Sequence, residues 1–145
     1  MPNAHNWMTD GPLIYLSTDP LLPMCAATPG AAPNPADSGG RACEWPLAKL
    51  APDGVLVTWY TTRILVPLPS TGEVAHVNGY PARLQTAKPG YCSAVGADET
   101  LDVLVPIELR KPWSNIAVLA CLRGPDLAGA EAKVRAMLAS ATVSP

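Results

Sequence analysis

Asn115-Ile-Ala-Val-Leu-Ala-Cys-Leu-Arg123 is a short apolar run, Gly124-Pro-Asp126 interrupts it, and Leu127-Ala-Gly-Ala-Glu-Ala-Lys-Val-Arg-Ala-Met-Leu-Ala-Ser140 continues with a different period. The first segment has the length and composition of a buried strand. In the second, Leu127, Ala130, Val134, Met137, Leu138 and Ala141 recur at steps of three and four, while Glu131 and Arg135 form an i,i+4 pair on the other side. That is an amphipathic helix near Asp126 to Ser140, with Pro125 tolerated in its first turn and Asp126 near the positive end of the helix dipole. Burying its four larger side chains is worth about 1.5 to 3 kcal/mol each, which outweighs local propensity. The stripe therefore requires a sheet to dock on.

The sheet is read outward from there. Leu101-Asp-Val-Leu-Val-Pro-Ile107 is a second apolar strand, joined to Asn115–Arg123 by Glu108 to Ser114, and the two are expected to pair antiparallel. Leu101, Val103, Val105 and Ile107 share one face, as do Ile116, Val118, Ala120 and Leu122 on the partner, because successive strand side chains point to opposite sides. Upstream, Val74 to Val77, Asn78-Gly79 and Tyr80 to Thr86 spell a hairpin whose turn dipeptide accepts positive φ. Val55-Leu-Val-Thr-Trp-Tyr-Thr-Thr62 is a strand by its β-branched and aromatic content, and Leu13 to Thr18 is a shorter one. Ile64 to Val66 reads as an edge continuation or a loop, because Pro67 and Pro69 follow. Trp45 to Leu50 reads as a single helical turn with Pro46 at its start, ended by Pro52-Asp-Gly54. Residues 1–12 form a loose lead-in, and residues 19–42, rich in Pro, Gly and Ala, form a long surface loop. Residues 1–145 thus read as a single α+β domain: an antiparallel sheet covered on one face by a C-terminal helix, with a long Pro/Gly-rich loop near the N-terminus.

Composition narrows the function classes. The chain is 48% hydrophobic and 15% charged, so it can form a packed core and does not have the make-up of a disordered tail. A net charge of -2 and scattered Lys and Arg residues give no footprint for nucleic acid. Apolar runs such as Ile116 to Leu122 are far shorter than the roughly 20 residues that span a bilayer. The N-terminus lacks the basic start and apolar centre of a secretion signal, so the protein is expected either to be cytoplasmic or to begin after a removed signal or anchor.

Cys25, Cys43, Cys92 and Cys121 include no Cys-x-x-Cys pair and have no His at zinc-ligand spacing, so neither a metal nor a cofactor is expected. Of three possible pairings, Cys25 with Cys43 and Cys92 with Cys121 closes the shortest loops, and the first bridge would tether the long loop. Disulfides point to an extracytoplasmic compartment, secreted or in the cell envelope, whereas reduced, buried thiols would suit the cytoplasm.

Cys92-Ser-Ala-Val-Gly-Ala-Asp-Glu-Thr-Leu101, together with Ala120-Cys-Leu-Arg-Gly-Pro-Asp126 and its following helix, resembles uncharacterised actinobacterial proteins of the cell-envelope type. The resemblance runs from Cys43-Glu-Trp-Pro-Leu onward, and the terminal strand and helix are similar in layout to the PsbP and Mog1 type of α/β sandwich. It implies an envelope location and brings no activity or catalytic residue with it.

No catalytic set stands out, and three readings remain. The leading one is a non-catalytic binding or interaction module outside the cytoplasm, taking an unknown protein or small-molecule ligand. Trp45 and Trp113 with Arg63 and Arg110 are its candidate contacts, and Trp7 and Trp59 could join a groove. The second is a small hydrolase or lyase using Asp98, Glu99 or Asp102, with Glu108 beyond. The third is a thiol–disulfide redox protein exchanging Cys92 and Cys121, or a thiol nucleophile at Cys92 served by His5 or His76.

Overall fold

Strand-forming runs separated by Asp, Asn, Gly and Pro give short strands that pair mostly with their sequence neighbours, with one long-range pairing, residues 55–62 with 115–122, closing the sheet. In the computed structural model, residues 9–22, 45–62, 68–106 and 115–142 are described. They form β1 (Thr9–Ser17), β2 (Val55–Thr62), β3 (Glu73–Val77), β4 (Tyr80–Ala87), β5 (Glu99–Pro106), β6 (Asn115–Leu122) and α1 (Leu127–Ser140), with a 3-10 helix at Gly90–Val95. The strands make one sheet in the order β1-β2-β6-β5-β4-β3, and every neighbouring pair is antiparallel. β6 is central, with Val118 opposite Trp59 on one side and Val103 on the other. Every residue of β6 is buried, as its unbroken apolar run requires.

The expected hairpin joins β3 to β4. Asn78 and Gly79 have φ of 50° and 81°, both left-handed, which matches the twist of the flanking strands. β1 begins earlier than its sequence reads, at Thr9, and its pairing with β2 shifts register on either side of Pro12 before settling at Ile14↔Trp59 and Leu16↔Val57.

The helix lies on the sheet as expected. Ala130, Val134 and Leu138 are buried in one cluster with Val55, Val57, Val103, Val118 and other odd- and even-numbered partners of the same sheet face, while Leu127, Met137 and Ala141 pack at its margin. The helical stretch starts at Leu127, so Pro125 precedes the cap and does not lie in the first turn. Asp126 is the cap itself, and its carboxylate accepts from the Gly129 N–H at 3.0 Å.

The opposite face of the sheet is not bare, which corrects the one-sided layering. Leu56, Tyr60, Leu104, Ala117, Leu119 and Cys121 form a second cluster with Leu47, Leu50, Cys92, Val95 and Ala97. Its cover comes from the 3-10 helix and from residues 45–50, which follow bends where a helical turn was expected. The reason lies in their hydrogen bonds. Leu50 N–H donates to Val95 O at 2.9 Å and Leu22 N–H to Pro46 O at 2.7 Å, so these backbones bond to distant segments and no local turn closes.

Cys92 and Cys121 form a disulfide, Cα to Cα 5.3 Å, that ties the 3-10 helix to β6 inside this second layer. Cys25 and Cys43, most of the long 19–42 loop, residues 1–8 of the expected 1–12 lead-in and the run Ile64 to Val66 lie outside the described residues, while residues 9–12 of that lead-in belong to β1.

One ion-pair cluster fixes the helix against the β3 edge. Arg135 donates through both terminal nitrogens to Glu73, at 2.7 and 2.8 Å, and also to Glu131 at 2.7 Å. The bidentate hydrogen bond from Arg135 holds the Glu73 carboxyl below its ordinary value of 4.5. A depressed carboxylate contributes stability that is full above its unfolded value and is lost as pH falls through the folded one. The melting temperature of the wild type should therefore exceed that of Glu73→Gln near neutrality, and the difference should vanish in acid. A difference that persists unchanged in acid would contradict this assignment.

Candidate interaction groove beside the first strand

The helix and the two edge strands define the site. The sheet edge at β3 is tied to the Glu131–Arg135 side of α1. Residues four apart share a helix side, so Lys133 and Met137 face away from that pair, toward β2 and β1. There the helix stops short of the sheet edge. Between them lies an open groove of about 240 Å³ lined by Leu16, Val55, Val57, Lys133, Val134 and Met137.

β1 makes the unusual wall of this groove. Ile14 and Leu16 are 46% and 42% exposed, whereas Tyr15 between them and Ser17 after them are half-buried. In the register with β2, Ile14 sits opposite Trp59 and Leu16 opposite Val57, which places both on the helix face. Tyr15 points the other way, into the second layer. The alternation is that of a strand whose apolar face has lost its cover, since the more exposed positions are the more apolar ones. Trp59, half-buried against the core, extends the patch beyond Ile14.

The electrostatics are simple. Lys133 is the one charged residue lining the groove, it is exposed, and no ion pair engages it among the described residues. No carboxylate lines the groove.

The other candidates are dispersed. Asp98 Oδ2 accepts from Gly124 N–H at 2.9 Å, and Asp53 Oδ1 accepts from Asp126 N–H at 2.7 Å, so both carboxylates join the turns that precede β2, β5 and α1. Glu99 is only 2% exposed, with Oε2 3.5 Å from Lys88 Nζ and Oε1 buried without a hydrogen bond. Asp102, three residues along β5, lies on the opposite face of the sheet from Glu99. These carboxylates do not converge, and Glu108 lies outside the described residues.

Cys92 Sγ is bonded to Cys121 and both residues are buried, so Cys92 presents no thiolate, while His76 is exposed on β3 and His5 lies outside the described residues. Trp45 is half-buried with its ring centroid 4.8 Å from that of Tyr91, at the margin of the second layer. Trp7, Trp113, Arg63 and Arg110 lie outside the described residues. Among the described residues no group of three or more His, Cys, Asp or Glu could hold a metal ion, and no helix is long and apolar enough to cross a membrane.

Sequence reasoning missed Ile14, Leu16 and Lys133. Leu13-Ile-Tyr-Leu16 is apolar on both faces, which announces a strand and conceals that one face is uncovered. Lys133 reads as an ordinary solvated helix charge until the groove beside it is visible. No family model matches the chain, and neither a curated protein nor a solved structure is significantly similar to it.

Proposed function

We propose that the protein is a non-catalytic binding module that works outside the cytoplasm and takes a protein partner on the helix face of β1 and β2. The observation that carries this reading is the exposure of Ile14 and Leu16 on an edge strand beside a groove of about 240 Å³. Apolar side chains paired with Trp59 and Val57 on one strand ladder are the kind of contiguous patch that marks an interaction surface. Size favours a protein over a small molecule. Pockets that enclose drug-sized ligands hold about 300 to 1,000 Å³, and an open groove below that range suits one or two side chains of a larger partner.

The buried Cys92–Cys121 bridge supports an oxidising compartment and agrees with the envelope-type resemblance. It speaks against redox exchange, which needs a sulfur that an incoming thiolate can reach. The hydrolase reading has no converging carboxylates to support it.

The test is selection of random displayed peptides on the oxidised, full-length protein. Peptides should be recovered that bind the wild type and not Leu16→Asp, with the melting temperature of the variant close to that of the wild type because Leu16 is already exposed. Failure to select any peptide, or peptides indifferent to Leu16→Asp, would reject this surface.

A further inference from the structure

We infer that the protein forms a two-fold dimer in which β3 pairs antiparallel with β3 of a second copy, joining two six-stranded sheets into one. The inference is independent of the groove reading above, because β3 is the edge opposite β1 and shares no residue with the groove.

The hairpin settles which backbone groups of β3 face outward. Its turn, Asn78-Gly79, makes Val77 and Tyr80 a hydrogen-bonded pair, and hydrogen-bonded pairs recur at every second residue along the ladder. Val77, Ala75 and Glu73 therefore direct their N–H and C=O groups toward β4, while Val74 and His76 direct theirs away from it. Pro81 fits this alternation, since it lies opposite His76, where the hairpin asks no N–H of it. The outward groups of Val74 and His76 have no partner among the described residues.

A strand edge of this kind needs a deterrent or a cover. The β1 edge is interrupted by Pro12 and by register shifts on either side of it. β3 has neither, and all 5 of its residues pair with β4 in unbroken register. Apart from His76, its one ionisable side chain is Glu73, which Arg135 holds on the helix face and which therefore does not guard the edge. Val74, 58% exposed, is the most exposed large apolar side chain among the described residues, and it stands on this strand.

The fit of β3 to itself selects a second copy as the cover. An antiparallel two-fold through Ala75 sets Val74 opposite His76 of the second copy and His76 opposite its Val74, so every outward group of both strands is bonded. A two-fold through Val74 or His76 would instead leave the other residue opposite Gly72 or Asn78, which lie outside the strand. Ala75, the smallest side chain of β3, meets itself on the axis, where the pair is not hydrogen-bonded and Cα atoms approach to about 4.5 Å. Glu73 lies opposite Val77, so no like charges are opposed, and each exposed Val74 is covered by a His76 ring. A closed two-fold leaves no free edge at its centre. The grooves beside β1 then lie at the two outer edges of the joined sheet, and the dimer presents both to a partner.

Sedimentation equilibrium of the oxidised, full-length protein over a concentration series should give a reversible monomer–dimer equilibrium. Val74→Lys puts a common guard of edge strands at an exposed position and should raise the dimer dissociation constant at least about tenfold. His76→Pro removes an outward N–H and no bond to β4, and it should act in the same direction. Leu16→Asp, at the other edge, should leave the constant unchanged. The register is read by Ala75→Cys, which should give a cross-link between the two copies of residue 75 on mild oxidation, identified by peptide mapping. This variant also decides the matter if Val74→Lys or His76→Pro fails to fold. A monomer at every concentration, a dimer indifferent to both β3 variants, or no cross-link at residue 75 would overturn the proposal. A dimer dissolved by Leu16→Asp would place the contact at the groove, and a selected peptide that binds a monomer and is lost in Val74→Lys would give the edge to a foreign strand. Either result would overturn it equally.

Discussion

Leu138→Ala is expected to lower the unfolding free energy by about 2 to 5 kcal/mol in denaturant melts, the cost of lost transfer energy plus the cavity left behind. Leu138 is buried in the cluster between α1 and the sheet, together with Ala130 and Val134. It lies near the C-terminal end of the helix, where Ala141 N–H bonds to Leu138 O at 3.4 Å and Ser140 Oγ donates to Met137 O at 3.0 Å. Most of the strand positions in that cluster lie on β2, β4, β5 and β6, which are paired on both sides, so they cannot collapse far into the space, and the cost should fall in the upper half of that range. A loss under about half a kcal/mol would mean that the helix stripe does not carry the first layer.

Removing the Cys92–Cys121 bridge by replacing both residues with Ala should cost about 3 to 4 kcal/mol. The bridge closes a loop with a sequence separation of 29, and the chain-entropy argument gives that size for such a loop. The effect should reach the second layer in particular. Cys92 N–H donates to Thr100 Oγ at 3.0 Å and Thr100 donates in turn to Pro89 O at 2.6 Å, so the 3-10 helix has other ties to β5, but the bridge is its covalent link to β6. Because both cysteines are buried, a mild reductant should leave the bridge intact until denaturant opens the domain. Loss of under about 1 kcal/mol in the double variant, or full reduction of the folded protein, would contradict a structural role.

Both predictions rest on parts of the fold that are unevenly legible in the sequence. β6 and α1 are legible because each has its own pattern and a sharp boundary: seven apolar residues in a row from Ile116 to Leu122, a Gly-Pro-Asp break, then steps of three and four. The β3–β4 hairpin is legible for a local reason, the left-handed Asn78-Gly79 pair. The pairing of β2 with β6 is not, since residues 55–62 and 115–122 find each other by competition for burial at long range. Nor is the second layer. Residues 45–50 and 90–95 have no periodicity, and their conformations are set by bonds to remote partners such as Leu50 to Val95.

The candidate groove follows the same division. That Leu13 to Thr18 forms a strand is local information, and that this strand ends up at an edge with Ile14 and Leu16 uncovered depends on the order of the whole sheet. Trp45, singled out by residue type, proves to stack on Tyr91 at the margin of the second layer. Residue type finds aromatic rings; only topology finds which apolar face lacks a neighbour.

Chemical shift mapping on the oxidised protein, free and with a selected peptide bound, tests the central claim most directly. Peptide binding should bring chemical shift changes at Leu16, Val57 and Met137 around the groove. Unchanged shifts at the groove, with the changes gathered instead at Trp45 and Tyr91, would contradict it.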